Sequence, residues 1–149
     1  MRLLSAVVGM AVAMTLGGCA SGGSDWLPST DKDLRKEKEQ FIAEAAARSY
    51  PADAPQAGLA PVRASIDYGL DVINLVNLSD QPLDGVEVWV NRQYGLALTQ
   101  LPPREQRTVN FRMLFDKTGQ QAPSQGLWID TVELLHQGQL YQVRAFAAD

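Results

Sequence analysis

Three regimes of apolar spacing follow one another along the chain. Leu3 to Leu16 is an uncharged apolar run. Residues 30–49, "TDKDLRKEKEQFIAEAAARS", place apolar residues at helical spacing. From Val62 onward apolar and polar positions alternate. The first run is too short to cross a bilayer comfortably, since a membrane helix needs about 20 apolar residues. With Arg2 ahead of it and Gly17 and Gly18 behind, it reads as an export signal over residues 1–18 that is cleaved from the mature chain.

The second regime predicts one helix over Thr30–Ser49. Ser29 or Thr30 offers a cap, acids crowd the first turn, Ala, Glu, Lys and Arg favour helix, and Pro51 stops it. Asp31 with Arg35, and Arg35 with Glu39, stand one turn apart and can pair. The apolar stripe is thin where Lys38 separates Leu34 from Phe41 and fuller through Phe41, Ile42, Ala45 and Ala46. The first half is therefore expected in solvent and the second half docked on the chain's own β domain. A partner-binding or membrane-surface helix is the competing expectation. Membrane-surface helices carry a basic polar face, whereas residues 31–39 hold four bases against four acids. Flanking this helix, residues 19–29 read as a flexible Gly/Ser tether and residues 50–61, with "PADAPQAGLAP", as a semi-rigid Pro/Ala linker.

The third regime predicts strands at "GLDVINLVNL" (69–78), "VEVWV" (86–90), "YGLALTQL" (94–101), "RTVNFRMLF" (107–115), "LWIDTVELL" (127–135) and "LYQVRAF" (140–146). A further short strand, "VRASIDY" (62–68), is an option. The separators hold Pro, Gly, Asn and Asp where reversals need them. Six or seven short strands at this spacing make the chain mainly β over 62–149, and their number and spacing resemble an immunoglobulin-like sandwich, without its bridging cysteine pair. Alternation puts Val86, Val88 and Val90 on the core face and Glu87, Trp89 and Asn91 on the other. Val109, Phe111 and Met113 are also expected inward. "VINLVNL" is apolar on both faces, so its strand is expected to be central or covered by the helix. "LFDKTG" (114–119) resembles the strand-end Leu-Phe/Tyr-Asp…Gly pattern of small envelope sandwich domains of the FxLYD type, with Arg112 where that pattern has Phe.

Charge narrows the partners. The chain has 13 bases and 17 acids, and loss of residues 1–18 removes Arg2 alone, leaving a mature net charge of about −5. Nucleic-acid affinity rests on Lys and Arg neutralising phosphates, so this balance argues against a nucleic-acid partner.

The single cysteine has no intramolecular partner, so the fold must hold by its apolar core. Leu16-Gly17-Gly18-Cys19, an aliphatic residue and two small ones before cysteine, directly follows the apolar run and precedes the spacer "ASGGSDWLPS". This arrangement resembles the lipobox of bacterial lipoproteins. The resemblance implies that Leu16, Gly17 and Gly18 form the signal-peptidase recognition site and that Cys19 becomes residue one of the mature chain. Its sulfur would carry a diacylglyceryl group, its new amino terminus often an acyl chain such as palmitate. In a Gram-negative host, Ala20 in place of an acid implies transfer to the outer membrane, with the protein on its periplasmic face. One acyl chain anchors only marginally, and two or three hold firmly. The alternative is an ordinary cysteine behind a secretory signal, an exposed and reactive thiol.

Catalytic chemistry finds little purchase. The sole histidine, His136, falls in "LLHQGQLY", a hairpin turn by its composition, with no nucleophile beside it. Zinc-type sites need several Cys and His ligands. Asp80, Asp84 and Asp116 lie in turns, and their spacing does not fit a calcium loop. "GGCASGG" precedes no strand-to-helix unit and is leader plus spacer, not a phosphate cradle. No enzyme, metal or cofactor is expected beyond the lipid.

The remaining candidates are aromatic. Trp89 faces away from the valine core, and Arg92 and Tyr94 follow it in the next turn, a residue mix enriched at interfaces. Trp89, Arg92 and Tyr94 are thus one candidate interaction surface for another envelope protein. The competing expectation is that the helix covers Trp89 through Phe41 and Ile42. A different class of function, carbohydrate or peptidoglycan binding, would use Trp89, Tyr94 and Trp128 as exposed aromatics.

Overall fold

A computed structural model describes residues 34–148. The export signal, the lipobox with Cys19, the tether and the start of the expected helix lie outside the described residues.

Helix α1 spans Lys38–Ala46 and is followed by seven strands: β1 Gln56–Asp67, β2 Val72–Asn77, β3 Leu83–Val90, β4 Tyr94–Leu101, β5 Gln106–Asn110, β6 Val132–His136 and β7 Gln139–Ala147. They hydrogen-bond in the order β4-β3-β6-β7-β1-β2-β5. Every pairing is antiparallel except that of β1 with β7. The result is a mainly β, seven-stranded, nearly closed sandwich, with the first strand beside the last.

Alternation along the strands builds the core. Val86, Val88 and Val90 of β3 are buried, as are Leu134 of β6, Ile73 and Leu75 of β2, and Val109 of β5. Phe111 and Met113 point inward as expected, but from a 3-10 turn, Phe111–Met113, and not from a longer β5. The reason is local: Asn110 Oδ1 accepts from Arg112 N at 2.9 Å, and Phe111 N donates to Asp71 O, so the ladder ends there. β2 lies inside the sheet between β1 and β5, with only alternate residues buried.

Several boundaries differ from the expected ones. The helix begins at Lys38, where Glu37 N donates to Gln40 Oε1 at 2.9 Å. Leu34, expected in solvent, is fully buried in the core, and residues 35–37 are not helical. The helix ends at Ala46, short of Ser49. β1 begins at Gln56, within the segment expected as linker. Its prolines fit because their carbonyls accept, Pro55 O from Leu140 N and Pro61 O from Leu78 N, and no proline N–H is needed. β6 begins only at Val132, because the backbone of residues 128–131 bonds to Asn91 and to Tyr68 Oη and not to a neighbouring strand.

The second half of α1 docks as expected. Phe41 and Ala45 are buried in the core and Ile42 packs against it.

Candidate functional site

The outer face of β3 and β6 is where the chain concentrates charge and aromatic rings. Register places Trp89 directly opposite Glu133 on β6 and Gly95 on β4. The Trp89 ring lies across Gly95, and a Cβ at that position would stand 2.9 Å from Trp89 Cη2 and Cζ3. Only glycine admits the ring there.

Trp89 is 3% exposed. Tyr50, from the connection between α1 and β1, meets it edge-on with ring centroids 5.7 Å apart at 84°. Tyr50 Oη donates to Glu133 Oε2 at 2.9 Å. Arg92 Nε donates to the same oxygen at 3.3 Å, and its guanidinium lies 5.7 Å from the Tyr50 ring centre. Arg48 continues the chain of contacts: its Nη1 donates to Glu44 O at 2.7 Å, and its Nε pairs with Glu87 Oε1 at 3.4 Å. Glu87 Oε2 accepts from Trp89 Nε1 at 3.3 Å. Glu133, though a carboxylate, is buried, and these two donors are what satisfy it.

Burial, reinforced by the hydrogen bond and charge of Glu133 and opposed by Arg92, raises the Tyr50 phenol above its ordinary value and keeps it a proton donor.

The hairpin turn after β3 aims Arg92. Asn91 and Arg92 both adopt left-handed backbone, φ 51° and 58°, a conformation that Asn tolerates better than Arg. Asn91 Nδ2 donates to Trp128 O, while its Oδ1 accepts from Asp130 N and Thr131 N. One side chain thus fixes a whole loop.

Beside Tyr50 and Arg92 opens a cleft of about 370 Å³, walled by Arg48, Trp89, Arg92, Gln93, Asp116 and Lys117. Asp116 comes from "LFDKTG", which closes over the β4 edge as Phe115 bridges Gly95 and Gln121. Asp116 Oδ1 accepts from Thr118 Oγ1 at 2.6 Å, Thr118 N at 2.8 Å and Gln120 N at 3.0 Å. Led by the Thr118 hydroxyl, these bonds hold the carboxyl below the ordinary value against the effect of burial. Tyr94, 8% exposed, has its phenol raised by burial and then by Asp116.

The three residues expected as one surface therefore do gather here, but in different roles. Trp89 and Tyr94 are buried, and only Arg92, with its side chain 59% exposed, faces water. Trp128 behaves otherwise: it is 67% exposed and stacks on Tyr68 at 5.4 Å and 3° between planes, leaving one indole face open. His136 ends β6 beside the Gln137-Gly138 turn, as its surroundings in the sequence suggested. Sequence reasoning missed Tyr50 and Glu133. An acid amid the apolar run "TVELL" was the available signal for the latter.

Among the described residues, no group of three or more His, Cys, Asp or Glu is placed to hold a metal, and no helix is long and apolar enough to cross a membrane. Fold and site together define a small β-sandwich domain in which the connection trailing helix α1 is pinned over the outer face of β3 and β6 by a Tyr-Glu-Arg cluster. Comparison with protein-family models, curated proteins and solved structures finds no match for the chain.

Proposed function

We propose that the chain is a lipid-anchored envelope protein whose β-sandwich is a non-enzymatic module that binds another envelope protein or plays a structural part beside it. The observation that carries the reading is Leu16-Gly17-Gly18-Cys19 immediately behind an uncharged apolar run and ahead of the spacer "ASGGSDWLPS". What the geometry contributes is the disposition of reactive groups. Glu133, Tyr50, Arg92, Arg48 and Asp116 are engaged with one another or with backbone, as suits a scaffold. The lipid on Cys19 is the only covalent addition the reading requires. Labelling with a radioactive fatty acid tests it: the wild type incorporates label and Cys19→Ala does not. An unlabelled wild-type protein ends the reading.

A second reading, carbohydrate or peptidoglycan binding, is favoured by one specific feature, the open face of Trp128 stacked on Tyr68. Flat exposed indoles suit the apolar face of a sugar ring. On this reading the protein sediments with isolated peptidoglycan and Trp128→Ala stays in solution, whereas equal behaviour of the two removes it.

A further inference from the structure

The face on which β7, β1 and β2 run side by side leaves much apolar surface in water. Leu59, Leu78 and Phe146 are 53%, 44% and 45% exposed and line one groove of about 310 Å³. The parallel register sets Arg63 directly beside Arg144, and both line the same groove. The Arg63 guanidinium lies 5.6 Å from the centre of the Phe146 ring. No carboxylate lines the groove, and among the described residues neither arginine forms an ion pair. Like charges set side by side on neighbouring strands repel, and grouped exposed apolar side chains mark contact surfaces. On a chain of net charge −4, this strip is locally cationic.

Its occupant must therefore be anionic and apolar at once. A second copy of the chain does not fit, because a two-fold contact would set this arginine pair against its own copy. A bilayer holding anionic phospholipid does fit: phosphates accept from guanidinium forks, and the interface takes up leucine and phenylalanine side chains.

We propose that the β7–β1–β2 face lies against an anionic phospholipid bilayer and that Arg63 and Arg144 bind its headgroup phosphates. The inference rests on the reading that Cys19 tethers the chain to a membrane. The stretch from Cys19 to Leu34 spans at most about 50 Å, more than the width of about 35 Å expected of a domain this size, so this face can reach the surface. Tethering makes the contact intramolecular, so a weak patch suffices.

The test uses the mature lipidated protein in phosphatidylcholine bilayers, with and without phosphatidylglycerol, doped with a gadolinium-chelating lipid. Side-chain resonances of Leu59, Leu78 and Phe146 broaden when phosphatidylglycerol is present. They sharpen in Arg63→Gln/Arg144→Gln while the protein stays attached. Equal broadening in both bilayers, or strongest broadening on another face, overturns the proposal. So do shifts at these residues that follow protein concentration without lipid, the sign of a second copy, or capture of an acidic protein by the patch in lipid-bound samples that show no broadening. Should fatty-acid labelling show Cys19 unmodified, the tether alone has failed. The mature chain recovered from cells is then sedimented with the same vesicles. The patch stands if phosphatidylglycerol vesicles pull the chain down and the double variant binds about 25-fold more weakly, about fivefold per arginine, and falls if they do not.

Discussion

Glu133 holds the most demanding position in the domain. Taking an ionised carboxylate out of water costs several kcal/mol unless good donors replace the solvent, and here Tyr50 Oη and Arg92 Nε share one of its oxygens. Tyr50→Phe keeps the ring over Trp89 and removes one donor to a buried charge. It should lower unfolding free energy by about 1.5–3 kcal/mol in urea titration, and a change under half a kilocalorie would contradict this account of the cluster. The pH dependence has two arms. The Tyr50 phenol is raised in the fold, so its contribution is whole below the ordinary value of 10.0 and fades as pH climbs through the folded value. The Asp116 carboxyl is lowered, so its contribution is whole above the ordinary 3.8 and fades as pH falls through the folded value. Acid unfolding of Thr118→Val should lose much of this low-pH arm. Gly95 gives a sharper steric test. Strands ordinarily tolerate alanine better than glycine, yet Gly95→Ala sets a methyl against the Trp89 ring and should destabilise by about 1–3 kcal/mol.

At the scale of elements, the helix is held by burial. Phe41 is 2% exposed, so Phe41→Ala should cost about 3–5 kcal/mol, while Glu39→Ala on the exposed side should stay within about 0.5 kcal/mol. Chemical denaturation of both variants measures whether α1 is part of the cooperative unit. Strands with clean alternation were legible in the sequence: β4 spans 94–101 as expected, and β3 and β7 differ only at their ends. The failures have physical causes. Residues 56–61 look like a linker because Pro and Ala dominate, yet their carbonyls serve the sheet. Residues 127–131 look like a strand because they are apolar, yet Asn91, from a turn nearly forty positions away, and Tyr68 Oη take the backbone bonds of 128–131. Trp89 was legible as facing away from the valine core, but not what covers it, because the ring of Tyr50 arrives by tertiary packing that no local pattern encodes.

At the scale of the whole molecule, an acidic chain builds a β-sandwich without a disulfide and presents three distinct outer features: a Tyr-Glu-Arg lock, a stacked Trp128 and a cationic-apolar strip. The lock holds the helix connection in place, and the other two are open to partners. Where those partners would be met depends on Cys19. The most direct measurement is mass spectrometry of the amino-terminal peptide of the mature protein isolated from membranes. The account predicts that this peptide begins at Cys19 and carries a diacylglyceryl group on its sulfur. A mature chain beginning elsewhere, or an unmodified Cys19 thiol, would contradict it.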